Sequence, residues 1–172
     1  FQGRNIVGIR PNIIARLGIG FVPEDRRIFP SLTVLENLNL PLIKKREEGW
    51  SLSKIYEYFP RLKEREMHKG SELSGGEQQM LAIARILRTK ASLILMDEPT
   101  EGLAPMLIRN IETILRGIKK EGITLLLVEQ NTRFAEAVGE RFYIIANGEI
   151  VYAGPREEFA LNNEVKKKYL GI

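Results

Sequence analysis

The sequence predicts an α/β domain, a mostly parallel sheet with helices between its strands and a helical insertion. Three observations predict it. Three short apolar runs, Ile19–Val22, Leu93–Met96 and Thr124–Val128, are each followed by polar or turn residues, as parallel strands covered on both faces are. Helical spacing lies between them, in Met80, Ile83, Ala84 and Leu87 and again in Ile108, Ile111, Leu115 and Ile118. The stretch from Ser31 to Glu72 has many charges and no strand pattern, and it reads as helices inserted between two strands of the sheet.

Each element has a local reason. Thr33 followed by Glu36 is a capping box that opens a helix through Leu40. Lys44–Glu48 is a charge run and reads as a solvated loop. A second helix is expected over Leu52–Phe59, interrupted by Pro60. Ser74 and Glu77 form another capping box, which opens the helix carrying Met80 to Leu87. Pro105 opens the next helix, and Gly122 closes it. Asn147-Gly148 stands between Phe142–Ala146 and Glu149–Tyr152. It predicts a hairpin, because both central residues must take positive φ. Gly154-Pro155 ends that ribbon, and Glu157–Leu161 and Glu164–Leu170 read as short closing helices.

The 172 residues suffice for one domain, or one with a small subdomain, and for a sizeable core. With 44% apolar and 28% charged residues the chain is set apart from disordered sequences. Its longest apolar runs, Ile123–Val128 and Leu93–Met96, are far too short to cross a bilayer. No secretory signal is visible at the start. The absence of cysteine excludes a disulfide framework and a thiolate metal site, and fits a cytosolic protein. A net charge of +4 permits contact with phosphates or a membrane surface without singling out nucleic acid. The chain opens on Phe1 rather than Met, so a cut end is expected.

Two motifs carry chemistry. Leu73-Ser74-Gly75-Gly76-Glu77-Gln78-Gln79 is a helix start with bare N–H groups, a hydroxyl and no bulky side chain, which suits an anion. Alone, it reads equally well as an ordinary capped helix with a flexible lead-in. Leu93-Ile94-Leu95-Met96-Asp97-Glu98-Pro99 is an apolar strand ending in two carboxylates, at the sheet edge where ligands of α/β folds sit. One carboxylate can hold Mg²⁺ through water, and the next can polarise a water for attack on phosphorus. A surface turn after a core strand gives the same pattern, so the strength lies in the two motifs together.

Together they resemble the ATP-binding cassette family of ATPases, over essentially the whole chain. LSGGEQQ matches the family's signature, and LILMDEP matches its Walker B strand with the catalytic glutamate. The resemblance implies a P-loop NTPase with a RecA-like core over 1–30 (the Q-loop region) and 73–172 (signature, Walker B and switch loop). Residues 31–72 would be the helical subdomain. It also implies a homo- or heterodimer in which each ATP lies between the P-loop of one cassette and the signature of the other. Ser74, Gly75 and Gly76 would then hold the γ-phosphate of the partner's nucleotide, with Gln78 in the same ATP-binding group. Asp97 would hold Mg²⁺ through water, and Glu98 would be the general base. The family's P-loop, G-x-x-x-x-G-K-[ST], does not occur here; neither Lys69-Gly70 nor Gly117-Ile118-Lys119 fits it. In the family it lies upstream of the position of Phe1, so roughly 50–60 further residues are expected there by the usual size of such a domain. The alternative is a protein that never had one.

Three positions depart from the commonest family pattern. Glu24 stands where the family usually has a Gln that senses Mg²⁺ and the membrane subunit. Gln130 stands at the switch histidine beside the catalytic site; its amide can donate to a phosphate oxygen but does not titrate as histidine does. Gly102, Leu103 and Ala104 occupy the D-loop, where Ala104 replaces the usual Asp of a cross-dimer contact. With VPEDRRIFPSLTVLENL, GLAP and LLVEQN, these departures resemble one branch: the shorter ATP-binding subunit of branched-chain amino-acid importers. Urea and other amide importers share close relatives of the motifs. The implied partners are a second cassette, membrane-spanning permease subunits and, indirectly, a periplasmic or extracellular binding protein, with no nucleic acid. The implied location is cytoplasmic, peripheral on the inner face of the cell membrane. Two rivals stand beside this reading: a cassette working outside transport, in DNA repair or translation, and a truncated cassette serving as a partner-binding module. Glu98 argues against the second, since a dead subunit has no need of a base.

The resemblance and the residues themselves set further expectations. Glu24, Glu98 and Gln130 should gather at one sheet edge, since all follow strands of one parallel sheet. By the resemblance Arg26–Pro30 would lie beside the groove where the membrane subunit docks; by itself the run reads as an ordinary loop. Phe29 is either an anchor in that groove or a filler of the seam between subdomains. His68 reads as solvated, and Trp50 as a cover for the helical stretch.

Overall fold

A computed structural model describes residues 1–40 and 49–171. The chain divides into two compact units, Phe1–Val128 and Glu129–Ile172. Residues 31–72 lie in the first unit with the core strands, and residues 73–172 run through both units. The run Lys44–Glu48 lies outside the described residues.

The first unit is built on a parallel sheet of β1 (Ile19–Val22), β2 (Leu93–Asp97) and β3 (Thr124–Val128), with β2 central. Val22 pairs with Met96, and Asp97 with Val128, so the strands end together at one edge. Between β1 and β2 come α2 (Val34–Asn39), α3 (Leu52–Tyr58), α4 (Pro60–Glu64) and α5 (Gly75–Leu87); α6 (Pro105–Lys120) joins β2 to β3. A short α1 (Pro11–Arg16), which the sequence reading missed, precedes β1 and buries no residue. Helix α5 packs on β1 so closely that a Cβ at Gly20 would overlap Ile86.

The sheet has one buried and one open face. Val22, Ile94 and Met96 are buried on the side that Gly20 shares with α5. On the other side Phe21 is 50% exposed, and Leu126 and Val128 are each 55% exposed. Cover on both faces was expected and is not found. An apolar run alone does not say how many of its faces are covered.

The helical stretch has its own apolar contents. Val34, Leu38, Ile55, Phe59 and Leu62 are fully buried, and α2 and α4 pack against α5. Pro60 does more than interrupt; it sits at the first position of α4, where its missing N–H has no cost. Arg88, buried beyond α5, donates from Nε to the Leu38 carbonyl (3.3 Å) and from Nη1 to the Trp50 carbonyl (2.6 Å). It thus satisfies a free carbonyl at the end of α2. Trp50 packs on Tyr58 with ring centres 4.6 Å apart, covering the helical stretch as expected.

In the second unit, α7 (Thr132–Val138) was not expected. Its cap is Asn131, whose side chain accepts from the Phe134 N–H at 3.2 Å. The hairpin β4 (Arg141–Ala146) and β5 (Glu149–Pro155) turns on Asn147 (φ 52°) and Gly148 (φ 81°), as their sequence requires. Closing helices α8 (Arg156–Leu161) and α9 (Asn163–Tyr169) follow, with Phe159 stacked on Phe142 at 4.4 Å. No helix among the described residues is long and apolar enough to cross a membrane.

Candidate functional site: a glycine-led helix start and a carboxylate edge

Helix α5 begins as the capping box predicts. The Glu77 N–H donates to Ser74 Oγ at 3.4 Å, while the Ser74 N–H and Oγ both donate to Glu77 Oε2, at 2.9 and 2.8 Å. Arg61 and Arg65, from α4 and just beyond it, stand 3.9 and 3.8 Å from Glu77 Oε1. Burial pushes the Glu77 carboxyl up. The two Ser74 hydrogen bonds and then the Arg65 and Arg61 charges outweigh it, so the group titrates below the usual carboxylate range. The two glycines serve different neighbours. A Cβ at Gly76 would overlap Leu107 at the start of α6, whereas a Cβ at Gly75 would stand 3.1 Å from Arg26 Nη1. Gln78 is engaged at both ends: its Oε1 accepts from Arg26 Nη1 at 3.3 Å, and its Nε2 donates to the Gly70 carbonyl at 3.1 Å.

The loop after β1 reaches this helix start. Arg26 (φ 60°) and Arg27 (φ 44°) are consecutive non-glycine residues in the left-handed region, at a cost of about 1–3 kcal/mol each. Arg27 Nε donates to both Asp25 carboxylate oxygens, and Arg85 Nη1 donates to the Arg27 carbonyl at 2.7 Å. Arg85 also lies 4.7 Å over the Phe29 ring, and Phe29 itself is 46% exposed. The Phe29 backbone is clamped by buried Asn37, which accepts from its N–H at 2.9 Å and donates to its carbonyl at 3.0 Å. A groove runs past Phe21, Pro23, Arg26, Arg27 and Arg85.

The third part is the end of β2. Asp97 is the last residue of the strand, and Glu98 follows at φ 43°, again left-handed without being glycine. The Glu98 N–H donates to the Val128 carbonyl at 2.9 Å, and the Glu101 N–H returns to the Glu98 carbonyl at 3.1 Å. Gly102 (φ 67°) turns the chain through Leu103 to Ala104, which takes the cap position of α6 with no side-chain cap. Carboxylates crowd here. A hydrogen bond to Glu24 and the charges of Glu24 and Glu98 raise the Glu101 carboxyl above its ordinary value. Glu24 and Glu98 thus share an edge, as expected. Gln130 belongs to the second unit, where it is exposed just before the cap of α7. Among the described residues no group of three or more His, Asp or Glu is arranged to hold a metal ion. A lone carboxylate such as that of Asp97 is a donor that suits Mg²⁺, which takes one or two carboxylates alongside water and phosphate.

The ABC transporter family profile matches residues 1–101. The chain belongs to the ABC transporter family. The high-affinity branched-chain amino acid transport ATP-binding protein BraG of Pseudomonas aeruginosa is 42% identical over 99% of this cassette and 74% of that protein. The ADP conformation of the cassette MJ1267 covers the same 99% and 74% at 28% identity, with a TM-score of 0.80. The dimeric post-hydrolysis cassette MJ0796, bound to ADP and Pi, covers 87% of this cassette and 68% of that chain at 29% identity, with a TM-score of 0.73. The α/β architecture expected of a P-loop NTPase is thereby established.

Sequence reasoning named Arg26 only as part of the run beside the docking groove, and it missed the contact of Arg26 with Gly75, that of Leu107 with Gly76 and the crowding of Glu101. Glu101 had a signal, being a third acid within five residues of Asp97. Arg26 and Leu107 had none, since nothing in the spacing says that the two glycines are faced by an arginine and a leucine.

Proposed function

We propose that the cassette is the ATP-hydrolysing subunit of an importer for branched-chain amino acids. The observation that carries the chemistry is the placement of Glu98. It is the first residue past the central strand, held by the Val128 carbonyl and beside Asp97. The likeness to BraG over nearly the whole chain supports the substrate class.

On this reading Ser74 and the Gly75 and Gly76 backbone receive the γ-phosphate of a nucleotide held by a second cassette, homo- or heteromeric. The bare N–H groups and the dipole of α5 favour that charge. Glu98 accepts a proton from the attacking water, and the resulting hydroxide displaces ADP from the γ-phosphorus. Asp97 would hold Mg²⁺, which supplies neutralisation of phosphate charge. Gln130 donates its amide to a phosphate oxygen. Glu24 takes the Q-loop position, and Gly102–Ala104 the D-loop. Residues 31–72 act as the helical subdomain. Permease subunits dock along the Glu24–Phe29 loop with Phe29 as anchor, which places the cassette on the inner face of the membrane.

The test is transport by the full-length protein, co-expressed with its membrane subunits and binding protein and reconstituted in vesicles. Leucine, isoleucine or valine should stimulate both uptake and ATP hydrolysis. Stimulation by urea or short amides with none by leucine would move the substrate class while leaving the ATPase reading in place.

A further inference from the structure

We infer that Arg26 is a positioning residue for the signature, fixing the start of α5 against the loop that carries Glu24 and acting through Gln78. The inference rests on the ATPase reading above and concerns a residue to which that reading gives no part in the chemistry.

Three contacts join here. The Arg26 guanidinium lies against Gly75, where a Cβ would come within 3.1 Å of Nη1 and 3.4 Å of Nη2. The same Nη1 donates to Gln78 Oε1 at 3.3 Å. Gln78 Nε2 donates in turn to the Gly70 carbonyl at 3.1 Å, so the amide is held at both ends. One chain of contacts therefore ties the loop after β1, the first turn of α5 and the segment that leads into it. The backbone is bent to make it so: Arg26 and Arg27 both sit at positive φ, a conformation that persists only where the surroundings over-determine it. Asp25 takes Arg27, with both carboxylate oxygens within 3.1 Å of Nε, and the two arginines thus serve different neighbours.

The N–H groups of Gly75 and Gly76 are useful only where they meet a phosphate. Arg26 sets that position relative to Glu24 without itself touching the phosphate. Because the signature acts on the nucleotide of the opposite cassette, losing Arg26 should slow turnover and spare the affinity of a single subunit for ATP.

The experiment uses the full-length protein with the variants Arg26→Ala, Arg26→Lys, Gln78→Ala and the Arg26→Ala/Gln78→Ala pair. Turnover, the Mg-ATP dissociation constant of the single subunit and melting temperature are measured on each. Arg26→Ala should lower kcat about tenfold, within the range that small misplacements cost. The dissociation constant should stay within about twofold, separating positioning from nucleotide binding. Gln78→Ala should match it, and the double variant should lose no more than either single one. Lysine should restore little, since an ammonium does not lie flat on Gly75 and present a fork to Gln78. Wild-type kcat in Arg26→Ala overturns the inference, and so do losses that multiply in the double variant. If Arg26→Ala does not fold, Arg26→Lys decides, and full turnover in it overturns the inference. A Glu98→Gln variant at wild-type rate would bring down the ATPase reading itself, whatever Arg26 does.

Discussion

The start of α5 and the end of β2 are both functional edges of one unit, and they are built on opposite terms. At the helix start Ser74, Glu77 and Gln78 are each engaged within the chain: Ser74 with Glu77, Glu77 with Arg61 and Arg65, Gln78 with Arg26 and Gly70. At the strand end, Glu24, Glu98 and Glu101 crowd one another, and Glu98 is held at φ 43°. The first is a finished scaffold that offers backbone N–H groups. The second stores like charge and backbone strain, which a bound cation and nucleotide can relieve. Overpacking or unpairing at the first should therefore cost stability, whereas loss of the Glu98 carboxylate at the second should cost activity and not stability.

The largest effect is expected at the strand end. Glu98→Gln keeps the shape of the side chain and removes its ability to accept the water's proton. It should lower kcat of the full-length protein by about 10²–10⁴-fold, the worth of a positioned base, with nucleotide binding preserved. It should not lower the melting temperature, because it also removes one charge from the crowd. A near-normal ATPase rate would break the comparison at its active end.

The next effect belongs to the scaffold. Gly76→Val adds a branched side chain where even a Cβ would overlap Leu107. Overpacking of this kind costs about 1–3 kcal/mol, and denaturant unfolding at constant m-value would measure it. Full stability in this variant would mean that α6 is free to move away from α5, and that the helix start is less finished than its contacts indicate.

The two edges also differed in how legible they were. The capping boxes at Thr33 and Ser74 and the hairpin turn at Asn147-Gly148 were readable because each is a local rule with a fixed spacing. The parallel sheet followed from the alternation of strand and helix. Helices α1 and α7 were not seen, since each is a turn or two long and buries little. The open face of the sheet was misread because Phe21, Leu126 and Val128 look in sequence like any buried strand residues. At the site, the residue types at Ser74, Asp97 and Glu98 pointed to their chemistry. What faces Gly75 and Gly76, and the meeting of Glu24 with Glu101, depend on tertiary contacts between segments dozens of residues apart. No periodicity carries that information.

The smallest effect sharpens the comparison through pH. Glu77 is 8% exposed, and its carboxyl titrates below the usual range, against the upward push of burial, because of the Ser74 hydrogen bonds and the Arg65 and Arg61 charges. A depressed folded-state value means that the unfolded chain binds the proton more readily. The stabilisation is therefore present above the ordinary glutamate value of about 4.3 and is lost as pH falls through the lower folded value. Glu77→Gln can still cap but has no charge to set against Arg61 and Arg65. It should cost about 1 kcal/mol or less near neutrality, the usual worth of partly exposed ion pairs, and nothing once the wild-type carboxyl is protonated. Glu101 carries the opposite sign. Its carboxyl is raised by Glu24 and Glu98, so ionisation opposes the folded state, and that penalty fades as pH falls through the raised value. Glu101→Gln should therefore leave stability at neutral pH unchanged or higher, with the gain shrinking in acid. Denaturant unfolding of both variants across the acid range reads the two slopes directly. If both substitutions shift stability in the same direction at neutral pH, the contrast between a satisfied helix start and a frustrated strand end does not hold.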